Sequence, residues 1–275
     1  MSEILQDLST PALIAAIEGN FLEYVHLFRH WQQTELREDS DLLWLSSDIP
    51  YPVFNIVART FLAPDRVDAA IEGAIARCRS REVPMLWITG PNAHPADLDE
   101  RLKAHGFVNA GDPIGMAADL LSLPEHLSTP PGLVIQQVAE IGTLQRWIEA
   151  CNRGFGRPDF VGQAFLDAYS CLGLGAGFPL FHYIGWLNGE PVAASLLFLG
   201  AGVAGIYDVA TVPEARQKGI GAAMTRAPLL EARARGYRIG ILHALKMGVS
   251  VYRRLGFQDY CTFSNYVWSS AGNSE

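Results

Sequence analysis

The stretch "TVPEARQKGIGAAM", residues 211–224, decides how this chain is read. The β-branched, apolar run "GIYDVATV" that leads into it reads as a strand. Pro213 cannot donate to a sheet ladder, so the strand is expected to splay or stop there. The following "AAMTRAPLLEARARG" has apolar residues at helical spacing. A loop of small residues entering a helix leaves the first helical N–H groups unpaired, and the helix dipole adds partial positive charge. Phosphate is the natural guest of such a junction. Gly219 and Gly221 remove the side chains that would keep a phosphate off the backbone, while Arg216 and Lys218 can add charge.

Two familiar phosphate loops do not account for the pattern. GxxxxGK[ST] is absent, and GxGxxG fails at Met224, as it does in "GLGAGF" at 173–178. What remains is [Q/R]-x-x-G-x-[G/A], filled by Arg216, Gly219 and Gly221. The strand before it closes a predicted antiparallel meander. Asn188-Gly189 between apolar runs is a type I′ hairpin signal, and Gly200–Gly202 makes the next reversal.

Further out, "LSLPEHLSTPPGL" (121–133) packs three prolines between periodic segments and reads as a linker. Before it the pattern predicts a long helix from Thr10 to Trp31, then strands at 42–46 and 53–61 and a helix at 65–80. A strand "PMLWIT", a helix at 96–105 and a strand ending in "GMAADL" complete that half. After it come a strand "LVIQQV", helices at 140–152 and 159–171, the meander, a helix from Gly219 to Arg235 and a strand "YRIGILHAL". A helix at 248–255 and one closing strand at 257–268 finish the chain. Both halves end in helix–"GF"–strand, "RLKAHGF" and "YRRLGF", which suggests an internal duplication.

Composition narrows the function classes. Residues 1–125 hold 9 Lys+Arg against 19 Asp+Glu, a net of −10, and residues 126–275 hold 12 against 10, a net of +2. An acidic half argues against nucleic acid, which rewards a basic surface, and the near-neutral half can hold an anionic cofactor. The four cysteines are far apart with no CxxC, which favours reduced thiols in a cytoplasmic protein. The first residues carry no signal-peptide pattern, and no apolar run reaches the roughly 18 residues of a membrane span. The histidines show no metal-ligand spacing, so no metal is expected.

"VATVPEARQKGIGAAM", followed about thirty residues on by "SVYRRLGF", resembles the GNAT superfamily of acyl-CoA N-acyltransferases, over residues 133–268 in element order. The resemblance implies an α/β fold of two GNAT-like domains, each a mostly antiparallel central sheet flanked by helices. Residues 126–275 would be the acetyltransferase domain, and residues 1–125 a degenerate copy without a CoA loop, its "GPNAHPAD" being unable to form a phosphate cradle. By the same resemblance Val209, Ala210 and Thr211 would pair with the pantetheine arm of acetyl-CoA. The amides of Gln217, Lys218, Gly219, Ile220, Gly221 and Ala222 would hold the pyrophosphate, with Arg216 beside them. The strand "GILHAL" would splay from its neighbour, and the thioester would sit in the gap. Tyr252 matches the family position for a general acid that protonates the leaving thiolate. The family's asparagine ahead of that tyrosine is missing from "HALKMGVSVY", where Lys246 and Ser250 stand as possible substitutes.

The base and the acceptor stay open at this stage. Asp208 on the fourth strand is a candidate base or a strand-edge acid bonded to a loop; His243 is a second candidate or a buried structural histidine. Arg153 and Arg157 in "CNRGFGRPDF" can meet a substrate carboxylate or face solvent. Trp147, Phe155, Phe160, Phe165 and Tyr169 form either core or an apolar acceptor pocket. The expected function is acetyl transfer to the amine of a small molecule or peptide, by a monomer or homodimer. The alternatives are a non-catalytic acyl-CoA sensor or scaffold, or another CoA-thioester chemistry.

Overall fold

The computed structural model describes residues 3–124, 129–174 and 177–270, so the middle of the 121–133 linker and part of "GLGAGF" lie outside the described residues. In chain order the first elements are α1 (Thr10–Leu27), β1 (Thr34–Glu38), β2 (Leu42–Ser47), β3 (Ile56–Thr60) and α2 (Val67–Ser80). They continue with β4 (Met85–Thr89), α3 (Leu98–Ala104), β5 (Val108–Gly111) and β6 (Ile114–Asp119). The second half has β7 (Leu133–Gln137), α4 (Ile141–Phe155), α5 (Asp159–Leu172), β8 (Leu180–Leu187), β9 (Glu190–Gly200) and β10 (Val203–Thr211). It ends with α6 (Ile220–Ala234), β11 (Ile239–Ala244), α7 (Val249–Arg254), β12 (Gln258–Thr262) and β13 (Ser264–Trp268).

The fold is α/β, with two sheets flanked by helices. One has six strands in the order β1-β2-β3-β4-β13-β5, the other seven in the order β12-β6-β11-β10-β9-β8-β7. The run 257–268 is therefore not the single closing strand expected from sequence. It is two strands in different sheets, divided at buried Phe263, whose N–H bonds the Pro113 carbonyl at 2.9 Å. Neither glycine nor proline marks that break, and β13 gains ladders on both sides, to β4 and to β5. The compact units are accordingly Met1–Tyr24 with Gly115–Tyr260, and Val25–Ile114 with Cys261–Glu275, rather than the products of one cut near residue 125.

The two sheets share one plan. In each, a meander of three strands (β1–β3, β8–β10) leads through a helix to a parallel neighbour (β4, β11) and then to a strand beyond (β5, β12). In each, the gap between those last two is filled from the other copy: β13 lies between β4 and β5, and β6 between β11 and β12. The duplication hinted at by the two "GF" motifs is legible in this strand order.

Local chemistry fixes the meander. Asn188 and Gly189 both have positive φ (54° and 84°), as a type I′ turn requires, and Ala201–Gly202 repeats the arrangement (49° and 73°). β9 is buried along nearly its whole length, as a strand covered on both faces must be. In α4, Leu144, Trp147, Ile148 and Cys151 are buried at helical spacing and form the inward stripe. Pro228 lies inside α6 and has no N–H for the carbonyl of Met224 four residues back. Ser195 of β9, fully buried, donates its hydroxyl to that carbonyl at 2.8 Å. This bond docks α6 onto β9.

The pairing generates a test. Ser195→Ala strands a buried carbonyl and should cost about 1–3 kcal/mol of unfolding free energy. Pro228→Ala returns the missing donor, so Ser195→Ala with Pro228→Ala should lose less than Ser195→Ala alone in chemical denaturation.

Candidate active site

The ladder between β10 and β11 is parallel from Ala204↔Gly240 to Ile206↔Leu242, and there it ends. On the other side β10 keeps its bonds to β9, but with a register shift between Tyr207 and Ala210. Asp208 sits in that bulge with φ 48°, a left-handed conformation that Asp tolerates better than most residues. The bulge re-aims the strand, and beyond it the two parallel strands diverge. Where they part lies a cavity of about 400 Å³. Val209 and Thr211 form one wall, Arg216, Gln217 and Gly219–Ala222 the floor, and Tyr252 with Arg254 a further wall.

The floor is the start of α6. Gln217 and Gly219 both have positive φ (62° and 79°), which turns the chain into the helix. The first intrahelical bond runs from Ala223 N–H to the Gly219 carbonyl at 3.2 Å, so the amides of Ile220, Gly221 and Ala222 precede it. A Cβ added at Gly219 or Gly221 would come no closer than 3.8 Å and 3.9 Å to any neighbour. These glycines keep space open above the amides. The residues present thus fit a pyrophosphate: oriented N–H groups, a helix N-terminus and cationic side chains at the rim.

Of the expected cofactor residues, Val209, Thr211, Arg216, Gln217, Gly219, Ile220, Gly221, Ala222 and Tyr252 all line this cavity. Ala210 is buried and pairs with Ala194 in the β9 ladder. The Lys218 ammonium donates to the Glu214 carbonyl at 3.2 Å. Arg216 laces the loop together, its Nε bonding the Thr211 carbonyl at 3.2 Å and its Nη2 the Gly154 carbonyl at 2.8 Å. Sequence reasoning missed Arg254 and Met247, which also line the cavity; Lys246 and Ser250 are not among its lining residues. The paired arginines of "YRRLGF" were the available signal: Arg253 is taken by Asp259, whereas Arg254 turns to the cavity.

Tyr252 packs its ring on Gly248, where an added Cβ would come within 2.7 Å of the ring. Burial pushes its hydroxyl up to about 12, so it is protonated at neutral pH. Asp208 is turned to the α4–α5 side. One carboxylate oxygen accepts from Arg157 Nη2 at 3.1 Å, the other from the Tyr169 hydroxyl at 3.3 Å, and the pair is largely buried. His243 lies tilted to Phe21 and edge-on to Tyr207, and burial lowers it to about 4, which keeps it neutral. Arg153 pairs with Glu214. Trp147, Phe165 and Tyr169 are core, while Phe155 and Phe160 are exposed.

The six-stranded sheet offers a contrast. There β3 runs parallel to β4 over Ile56↔Leu86 and Val57↔Trp87. Past that point the chain's own "GPNAHPAD" segment fills the parting: His94 N–H bonds the Thr60 carbonyl at 3.0 Å, and Leu62 N–H bonds the His94 carbonyl at 3.2 Å. The strand edge that β10 leaves open is closed by backbone in β3.

Residues 201–259 match the family model of the acetyltransferase (GNAT) domain. The whole chain is similar to solved structures that carry the same architecture. One is a GCN5-related N-acetyltransferase from Kribbella flavida, at 19% identity, 96% of each chain covered and a TM-score of 0.63. Another, from Sphaerobacter thermophilus, is 16% identical over 98% of this chain and 95% of that one, with a TM-score of 0.63. The fold is a GNAT fold. A tandem GNAT protein from the clavulanic acid biosynthesis pathway aligns over 100% of this chain and 98% of its own, at 14% identity and a TM-score of 0.59. The GNAT likeness thus spans both sheets, while the matched family segment covers the second half of the meander, the cradle and the "YRRLGF" helix. No curated protein matches this sequence.

Beneath the site, buried His182 lies edge-on to Trp147 and Tyr169, with centroids at 4.8 and 4.5 Å. Burial lowers it to about 3, and neither ring nitrogen has a hydrogen-bond partner among the described residues. A folded-state value below the unfolded one means stability is complete above about pH 6.5 and is lost as pH falls toward the folded value. Unfolding free energy should therefore decline between pH 6.5 and about 3, with His243 adding to the slope down to about 4. Denaturation series at several pH values should show a shallower decline in His182→Leu.

Proposed function

We propose that the GNAT unit with the seven-stranded sheet transfers an acetyl group from acetyl-CoA directly to the amine of a small-molecule or peptide acceptor. The observation that carries this reading is the parting of β10 from β11 directly above a glycine-opened helix N-terminus. The amides from Gln217 to Ala222 hold the pyrophosphate, with Arg216 and Arg254 contributing positive charge. Val209, Ala210 and Thr211 offer their open edge to the amides of the pantetheine arm, as an added strand would. Acetyl-CoA, when bound, supplies an electrophilic acyl carbon and a thiol leaving group. In the transfer a nitrogen–carbon bond forms, the carbon–sulfur bond breaks, and one proton passes overall from nitrogen to sulfur. Tyr252, held protonated by burial, delivers the proton to sulfur. Asp208, with both oxygens engaged, keeps the strand in place.

Calorimetric titration with acetyl-CoA, CoA and 3′-dephospho-CoA tests the cradle, with saturation at one site per chain as the expected result. Gly221→Glu, whose Cβ would come no closer than 3.9 Å to the Thr211 hydroxyl, should abolish that binding by placing a carboxylate at the pyrophosphate. Tyr252→Phe should lower turnover about a hundredfold or more while CoA affinity holds. No binding at millimolar cofactor overturns the reading. Binding without turnover of any amine would assign the protein to acyl-CoA sensing instead.

A further inference from the structure

The bulge that opens the cleft is held from the opposite side of the sheet. Asp208 is a non-glycine residue in the left-handed region, at the position where β10 stops pairing with β11. Its neighbours Val209 and Thr211 line the cavity, whereas its carboxylate runs beneath α4 and α5 to Arg157 and Tyr169. Both partners are themselves fixed. The Arg157 guanidinium lies 4.3 Å from the Phe155 ring centroid and 5.1 Å from that of Phe165, and its Nη1 is 3.7 Å from the Cys151 sulfur. Tyr169 stacks on Phe165 and meets the edges of Trp147 and His182. Tyr169 donates its one hydroxyl proton to Asp208, so its oxygen is left to accept from Tyr24, 2.8 Å away.

A second contact reinforces the first. Gly154, near the end of α4, approaches β10 so closely that a Cβ there would stand 2.7 Å from that of Ala210. Its carbonyl is the one that Arg216 grips from the cradle loop. The segment 208–216 is thus tied to the α4–α5 corner at Asp208, at Ala210 and at Arg216.

We propose that Arg157 and Tyr169 are positioning residues: they hold the Asp208 side chain, and through it the bulge that parts β10 from β11. The consequence for turnover rests on the acetyl-transfer reading above; the mechanical claim does not. A carboxylate with both oxygens bound beneath the helices is a latch, and one acting as a base would need an oxygen facing the cleft.

Hydrogen exchange read by mass spectrometry on the full chain tests the latch without any cofactor. In Asp208→Asn and Arg157→Gln the amides of residues 207–212 should exchange about tenfold faster or more, while the β8–β9 ladder keeps its protection. Arg157→Lys should recover part of the loss. Tyr169→Phe keeps the buried ring and removes only the hydroxyl, so it serves as the mild variant and should still accelerate those amides. Unchanged exchange at 207–212 in all of these variants overturns the proposal.

With acetyl-CoA and an accepted amine, the latch predicts kcat reduced about tenfold to a hundredfold, with a smaller loss of cofactor affinity through the loosened Val209–Thr211 edge, because the helix amides of the pyrophosphate cradle stay in place. It also predicts that the acid limb of the kcat/KM profile survives in Asp208→Asn. Loss of that limb with normal amide protection would make Asp208 the base and overturn the latch. Failure of the wild type to bind CoA would remove the acetyl-transfer reading and leave the exchange result standing.

Discussion

The parting of two parallel strands just past Ile206 and Leu242 is the constraint on which the rest of the seven-stranded unit depends. A parallel ladder that continued to Thr211 would satisfy its own backbone and leave no edge for a ligand. The extra residue at Asp208 bulges β10 against β9 just where the pairing with β11 ends, at a cost of about 1–2 kcal/mol for a left-handed side-chain-bearing residue. Buried hydrogen bonds to the carboxylate offset that cost, and the helix that follows Pro213 brings its amide-rich end to the opening. Cavity, cradle and Tyr252 wall are all consequences of where one strand stops pairing.

The six-stranded sheet shows the same strand order with the opening filled. His94 makes with β3 the backbone bonds that a bound arm could make with β10. An open strand edge is an energetic liability that must be paired, covered or used. One copy pairs it with its own loop, and the other leaves it available. Two like strand orders therefore do not carry two like openings, and the difference lies in a few residues of loop rather than in the sheets.

Much of this was readable in the sequence because the decisive signals are local. Asn188-Gly189 sets a hairpin by its dihedral preferences, and "RQKGIG" sets a helix entrance by its lack of side chains. Pro213 ends a strand through chemistry confined to its own ring. What escaped were features set by distant partners. β1 "TELRE" and β5 "VNAG" are short, largely exposed edge strands with no apolar alternation to betray them. The break at Phe263 carries no turn residue, because it is decided by which sheets have room on either side. Arg254 and the engagement of Asp208 depend on the packing of α7, α4 and α5, which spacing along one segment does not encode.

The exchange of β6 and β13 sets an order of events as well as a topology. A domain at the start of a chain ordinarily folds while the rest is still being made. Here the six-stranded sheet, whose other strands all lie before residue 112, awaits residues 264–268, and those are synthesised after the whole cradle has emerged. Until then β4 and β5 have no strand between them. Completion of the six-stranded sheet thereby waits on residues that follow the whole of the seven-stranded one.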